Sequence, residues 1–280
     1  MVAKLLKYDL KAYFRVLAPV YLTVFAVALF CRIVQFFEPA LSTPDTAASV
    51  SVYKAIFISS VVLLVLACMV ALIITLIQVI LVFYRNLFTR EGYLSFTLPV
   101  STDQHLCAKL LGAFIATFAS FLVTIIAAAI ASFGEVLREG VKAGWYLLRV
   151  LRAEVVEEFG VGHFGGWTVE VILAVLVSFA LSTLFYYLCI TVGQQAKKNR
   201  VLAAFGVFFG IYILLQILAT VLVILAGVTD IFDVIENWMV RNAPGSIHAL
   251  LLGSTAISAG LAVGAYFICR RLINRHLNLE

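Results

Sequence analysis

Acyl or phosphoryl chemistry needs a nucleophile, a base and a group that orients the base, all within hydrogen-bond reach. The 280-residue sequence holds such parts without the pattern. Its histidines, His105, His163, His248 and His276, are scattered over loops and ends. Serines and threonines are plentiful, but no base accompanies one at a useful spacing. Cys31, Cys68, Cys107, Cys189 and Cys269 lie in or beside apolar stretches and form no CxxC pair. They read as small buried hydrophobes rather than as a disulfide or metal framework. GxxxxGK[ST], HExxH and a GxGxxG followed by a ribose-binding acid are all missing, so the chain is not expected to hydrolyse nucleotide by itself. No catalytic, cofactor-binding or metal-ligating residue is assigned, and an enzyme is not expected.

Charged groups in apolar stretches are the next place to seek chemistry, because a charge in hydrocarbon is costly and kept for function. No Asp or Glu falls near the middle of an apolar stretch, which counts against ion-coupled transport. Arg32 is the one deep-looking base. It either snorkels to an interface or contacts an anionic group. Gln78, Gln194, Gln195, Gln216, Tyr186 and Tyr187 are read as interhelical hydrogen-bonding groups.

The elements that carry these residues follow from composition. The chain is 64% hydrophobic and 12% charged, with a mean hydropathy of +1.09. Soluble domains run at about 45–50% apolar and about 25% charged. A globule of this make-up would put much apolar area in water, whereas lipid solvates it directly. Six apolar runs reach the ~20 residues that cross ~30 Å of hydrocarbon: 16–37, 55–83, 106–130, 171–192, 201–228 and 249–269. The expected fold is an all-α integral membrane protein, one transmembrane domain over residues 1–280. The formal charge of +5 is explained by placement rather than by nucleic acid. Lys4, Lys7, Lys11 and Arg15, then Arg85, Arg90 and Lys109, then Lys197, Lys198 and Arg200, then Arg270, Arg271 and Arg275 occupy alternate connections. Positive charge in short loops marks the cytoplasmic side, so both termini are expected there.

Three segments are not simple spans. Residues 1–15 set Leu5, Leu6, Leu10 and Tyr13 or Phe14 against Lys4, Lys7, Lys11 and Arg15. They read as an interfacial amphipathic helix or as a basic start to span one. Residues 131–167 form a long outer segment with the stripe Leu137, Val141, Trp145, Leu148, Leu151 and Val155. This helix lies on the outer surface or packs on the spans, and Gly160, Gly162, Gly165 and Gly166 are expected to break it. Residues 229–247 read as a short outer helix before span six, with Asp230 as N-cap and an end at Asn242-Ala243-Pro244-Gly245.

The most informative stretch is the connection 84–105. Span two is expected to run on to about Arg90, and Gly92 permits a sharp break. Leu94, Phe96 and Leu98 alternate with Tyr93, Ser95 and Thr97, Pro99 blocks simple helix continuation, and Ser101 with Gln104 makes a capping box for span three. This elbow is a turn folded on the membrane or a docking surface for a cytosolic partner.

The run Glu91-Gly92-Tyr93-Leu94-Ser95-Phe96-Thr97-Leu98-Pro99-Val100-Ser101, followed by Ala108-Lys109-Leu110-Leu111, resembles the corresponding loop of ABC-2-type permeases of Gram-positive bacteria. The opening Leu5-Leu6-Lys7-Tyr8-Asp9-Leu10-Lys11 and the ending Leu277-Asn278-Leu279-Glu280 are similar too. The likeness is sharp over about twenty residues; elsewhere it rests on topology, and the long outer segment 131–167 departs from the minimal pattern. The resemblance implies a permease subunit of the bacterial plasma membrane with about six spans and an interfacial elbow helix. It implies that Arg90, Glu91, Gly92, Tyr93, Leu94, Phe96, Thr97, Leu98 and Pro99 contain or border the element that docks on a separate ATPase. ATP and Mg would then sit on that partner, with no cofactor on this chain. Two permease copies, or this chain with a related one, would complete the unit and export an amphipathic or hydrophobic substrate. The alternatives are a channel or secondary transporter acting alone, and a scaffold or immunity protein that does not transport.

Overall fold

In the computed structural model the described residues are 2–37, 47–89, 101–132, 135–196 and 199–275. They form eight helices: α1 Val2–Phe36, α2 Ala47–Phe88, α3 Thr102–Ala131, α4 Glu135–Phe159, α5 Val161–Gly193, α6 Arg200–Val228, α7 Ile231–Arg241 and α8 Ala243–Arg275. No strand occurs among the described residues. Six helices, α1, α2, α3, α5, α6 and α8, are long and apolar enough to cross a membrane. Their apolar side chains are widely exposed, as on Leu22, Leu66, Phe118, Leu176 and Leu261. That surface is stable against lipid and not against water.

The helices overrun the expected spans. Residues 2–15 are the opening turns of α1, continuous with span one. Lys4, Lys7, Lys11 and Arg15 are all exposed, Tyr13 and Asp9 are buried, Leu5, Leu6 and Leu10 are half-buried, and Phe14 is exposed. At ~1.5 Å per residue α1 is about 52 Å long, well beyond the hydrocarbon thickness.

The breaks are backbone events. Gly160 has φ +88°, a conformation glycine reaches without Cβ strain, and it separates α4 from α5. The expectation that four glycines end the helix is corrected here: Gly162, Gly165 and Gly166 are helical. Asn199 (φ 55°) and Asp230 (φ 51°) are left-handed. Asp230 precedes α7 as expected of an N-cap, but its side chain makes no capping bond; its carbonyl accepts from Val234 N–H instead (3.2 Å). Pro244 does not simply end a helix. It lies in the first turn of α8, where a missing N–H costs nothing.

Two compact units are distinct. The first comprises residues 1–83 and 107–148. Its core is built from Val24, Ala28 and Cys31 of α1, Leu64 and Ala71 of α2, and Ala127 and Ala131 of α3. Small residues let helix backbones approach closely, which replaces the hydrophobic drive that lipid removes. Hydroxyls complete the join: Ser120 Oγ bonds both Tyr21 Oη and Thr75 Oγ1 at 2.6 Å. Gln35 Nε2 donates to the Ala131 carbonyl at 2.6 Å, and Gln35 Oε1 accepts from Arg32 Nη1 at 3.2 Å. Cys31 Sγ donates to the Ser60 carbonyl (3.1 Å).

The second unit comprises residues 84–106 and 149–280. Here α5 packs against α8 and α6, and α7 against α6 and α8. Helices α5 and α6 approach so closely that a Cβ on Gly193 would lie 2.5 Å from the Ala204 backbone. No α6 residue is buried.

Helix α4 lies within the segment 131–167. Its Val141, Trp145, Leu148 and Leu151 are exposed, and its Leu137 and Val155 are half-buried. All five cysteines are free thiols; Cys31, Cys189 and Cys269 are buried, Cys68 is half-buried and Cys107 is exposed.

Candidate functional site

The connection singled out by its sequence is 84–105. Arg90, Glu91, Gly92, Tyr93, Leu94, Phe96, Thr97, Leu98 and Pro99 lie outside the described residues, but both ends of the connection are described. On the entry side α2 reaches Phe88, with Leu87 and Phe88 buried and the Thr89 hydroxyl donating to the Arg85 carbonyl (2.5 Å). On the exit side Ser101 starts α3 as a cap. Its carbonyl accepts from the N–H groups of Gln104 (3.0 Å) and His105 (3.2 Å), and its Oγ accepts weakly from Gln104 N–H (3.4 Å). The Ser101 half of the expected capping box is therefore formed.

From that cap the first turn of α3 reaches the C-terminal part of α8. Asp103 accepts from Tyr266 Oη (2.7 Å) and pairs with Arg270 Nη2 (3.0 Å). Thr102 Oγ1 donates to Asn274 Oδ1 (2.6 Å). Asp103 is well placed by type, since an acid in a first turn complements the helix dipole. Its side chain is 38% exposed and that of Arg270 is 43% exposed, so the ion pair adds under about 1 kcal/mol. The arrangement gives position rather than strength: three bonds fix the exit of the loop to one face of α8.

A stronger join lies one turn and more along α3. Lys109 Nζ donates to Asp9 Oδ1, and each side chain is only 5% exposed. The two residues belong to separate stretches that carry the sequence resemblance, and they are 100 residues apart in the chain. Gly112 lets α1 come close: a Cβ there would meet Tyr13 Cε2 at 3.3 Å. Beside this join is a cavity of about 650 Å³. Leu10, Phe14, Leu17 and Ile115 supply apolar wall, and Lys11 and Arg15 supply positive charge. Tyr13 also lines it, and its buried hydroxyl has no partner among the described residues. An apolar groove with cationic groups suits an amphiphile bearing negative charge.

One expectation is corrected outright. The histidines are not all apart. His163 of α5 and His248 of α8 meet, Nδ1 to Nε2, at 3.0 Å. His248 Nδ1 lies 2.6 Å from Glu170 Oε1, and Trp167 stacks obliquely beside both rings. Gly166 makes room, since a Cβ there would strike His248 Cε1 at 2.9 Å. Glu170 precedes the expected start of span four at Val171, yet it lies inside the apolar helix α5. No local spacing reveals a contact across 85 residues. The i, i+3, i+7 spacing of His163, Gly166 and Glu170 on one helical face was the available signal. Among the described residues no group of three His, Cys, Asp or Glu is placed to hold a metal ion. No protein-family model, no curated protein and no solved structure matches this chain.

Proposed function

We infer that the chain is the membrane-spanning subunit of an ATP-binding-cassette exporter, moving an amphipathic or hydrophobic substrate with ATP hydrolysed on a separate subunit. The observation that carries this reading is the footing of the 90–100 loop. A connection meant to receive force must be attached at its base, and Asp103 and Thr102 fasten its exit to Tyr266, Arg270 and Asn274 of α8. Movement imposed on the loop by closing ATPases would pass to α3 and α8 as rigid bodies, the usual way packed helices transmit a shift. The Asp9–Lys109 pair carries the same movement to α1. In this reading the loop and both termini are cytoplasmic, because the basic connections share that side. The membrane is the bacterial plasma membrane, ATP and Mg reside on the partner, and a second copy or a related permease completes the unit. The groove beside Tyr13 supports an amphipathic cargo: peptide antibiotic, lipid or drug.

The test is affinity purification of the tagged chain from native membranes in mild detergent. Recovery of a soluble P-loop ATPase, lost when Glu91 and Tyr93 are replaced together by alanine, is the expected result. A chain that comes down without an ATPase sinks the reading. The cluster of Glu170 with His163 and His248 favours a second one, a transporter that works alone on an ion gradient, since carboxylate and imidazole chains in spanning helices serve proton relays. Substrate movement in vesicles holding this chain alone, driven by a pH gradient, would establish that alternative.

A further inference from the structure

The Glu170–His248–His163 chain can be read atom by atom. An ionised Glu170 is acceptor-only, so the 2.6 Å contact requires a proton on His248 Nδ1. The neutral His248 ring then offers Nε2 as a lone pair, and the 3.0 Å contact requires a proton on His163 Nδ1. His163 Nε2 is left as the free end. Both hydrogen bonds then have one donor and one acceptor, and the cluster carries one negative charge. That charge is poorly housed: the Glu170 side chain is 14% exposed, its Oε2 is buried, and Oε2 has no partner among the described residues. Buried Trp167 Nε1 is also without a partner.

We propose that His163, His248 and Glu170 form a proton-accepting relay that loads one proton at the free nitrogen of His163 and holds the resulting charge beside Glu170. The proton adds to His163 Nε2. The Nδ1 proton of His163 passes along the 3.0 Å hydrogen bond to His248 Nε2. His248 becomes an imidazolium against the Glu170 carboxylate, and His163 returns to neutral with its proton on Nε2. No bond other than N–H forms or breaks, no electron is exchanged, and the cluster charge rises from −1 to 0. The loaded state converts a hydrogen bond between α5 and α8 into an ion pair, so proton occupancy and the α5–α8 join are linked. The relay stands whether ATP or an ion gradient drives the protein.

Few other charges compete. No further titratable group bonds or ion-pairs with the three residues among those described. The nearby end of α4 brings the ring of Phe159 against Trp167. Its Glu154 and Glu157 are exposed, as are Asp233, Glu236 and Arg241 of α7, which packs on α8. Helix α6, which packs on α5 and α7, has its only charged residue, Arg200, at its first position. Imidazole is the side chain that ordinarily changes charge between pH 5 and 8.

Trp167 supplies the probe, because an adjacent imidazolium quenches indole emission and its ring centroid is 5.6 Å from that of His248. The sequence has three tryptophans, so Trp145→Phe with Trp238→Phe leaves Trp167 as the only tryptophan in the full chain, excited selectively over tyrosine. In lipid nanodiscs its emission is expected to fall reversibly as pH drops from 8 to 5. His248→Gln should abolish the fall, His163→Gln should weaken it by removing the loading end, and Glu170→Gln should move its midpoint toward acid. Near-ultraviolet circular dichroism of each variant at pH 8 keeps misfolding separate from loss of the relay. Emission that is flat across this range in the parent, or a fall that persists unchanged in a folded His248→Gln variant, overturns the proposal.

Discussion

The two units solve the same problem, joining helices in a solvent that gives them no hydrophobic drive, with different chemistry. The first uses a buried ion pair, Asp9–Lys109, and hydroxyls centred on Ser120. None of these joins contains an imidazole. The second uses two imidazoles on a carboxylate and a half-exposed ion pair at Asp103. In the relay proposed above, the first of these joins gains a proton and the second, at Asp103, stays open to water.

The largest effect should come from breaking the Asp9–Lys109 join by halves. Lys109→Met or Asp9→Asn leaves a partner buried without its counterpart, and each should cost about 3–5 kcal/mol in reversible unfolding from mixed micelles. The Asp9→Asn, Lys109→Met double variant should lose less than either single change, because no uncompensated charge remains. Additive losses would show that the two residues do not act as a pair.

Next in size is Gly193→Ala. Its Cβ would meet backbone rather than a flexible side chain at 2.5 Å, so α5 and α6 must separate at a cost of about 1–3 kcal/mol, as overpacking does. Thermal melting should show this loss, and a variant as stable as the parent would mean that the two helices do not touch at Gly193. Ser120→Ala removes two interhelical hydrogen bonds in the first unit, each worth roughly 0.6 kcal/mol and at most about 1.7. Its unfolding loss should be the same at pH 6 and pH 8, in contrast to the histidine cluster. The smallest stability effect is expected from Asp103→Asn, under about 1 kcal/mol. In the transport reading the same change loosens the footing of the 90–100 loop, so it should lower ATPase-driven transport far more than stability.

Which parts of this were legible in the sequence follows from what each depends on. A span needs only about twenty apolar residues in a row, in any order, so the six crossing helices were readable from composition along the chain. Helix ends were less so: Gly162, Gly165 and Gly166 look like breakers, yet they are helical, and Gly166 provides room for His248. Pro244 looks like a stop and sits in a first turn. The joins were the hidden part. Asp9 meets Lys109 and His163 meets His248 through tertiary packing, and no periodicity encodes a partner so far along the chain. The resemblance did single out the stretches holding Asp9 and Lys109, without saying that they touch.

The docking role assigned to the 90–100 loop is tested most directly by placing a photo-activated cross-linker at Tyr93 and, as a control, at Trp145 on the exposed stripe of α4. After irradiation of native membranes, the Tyr93 probe should yield an adduct with a soluble P-loop ATPase, and the Trp145 probe should yield none. No ATPase adduct at Tyr93, or the same adduct from both positions, would contradict the account.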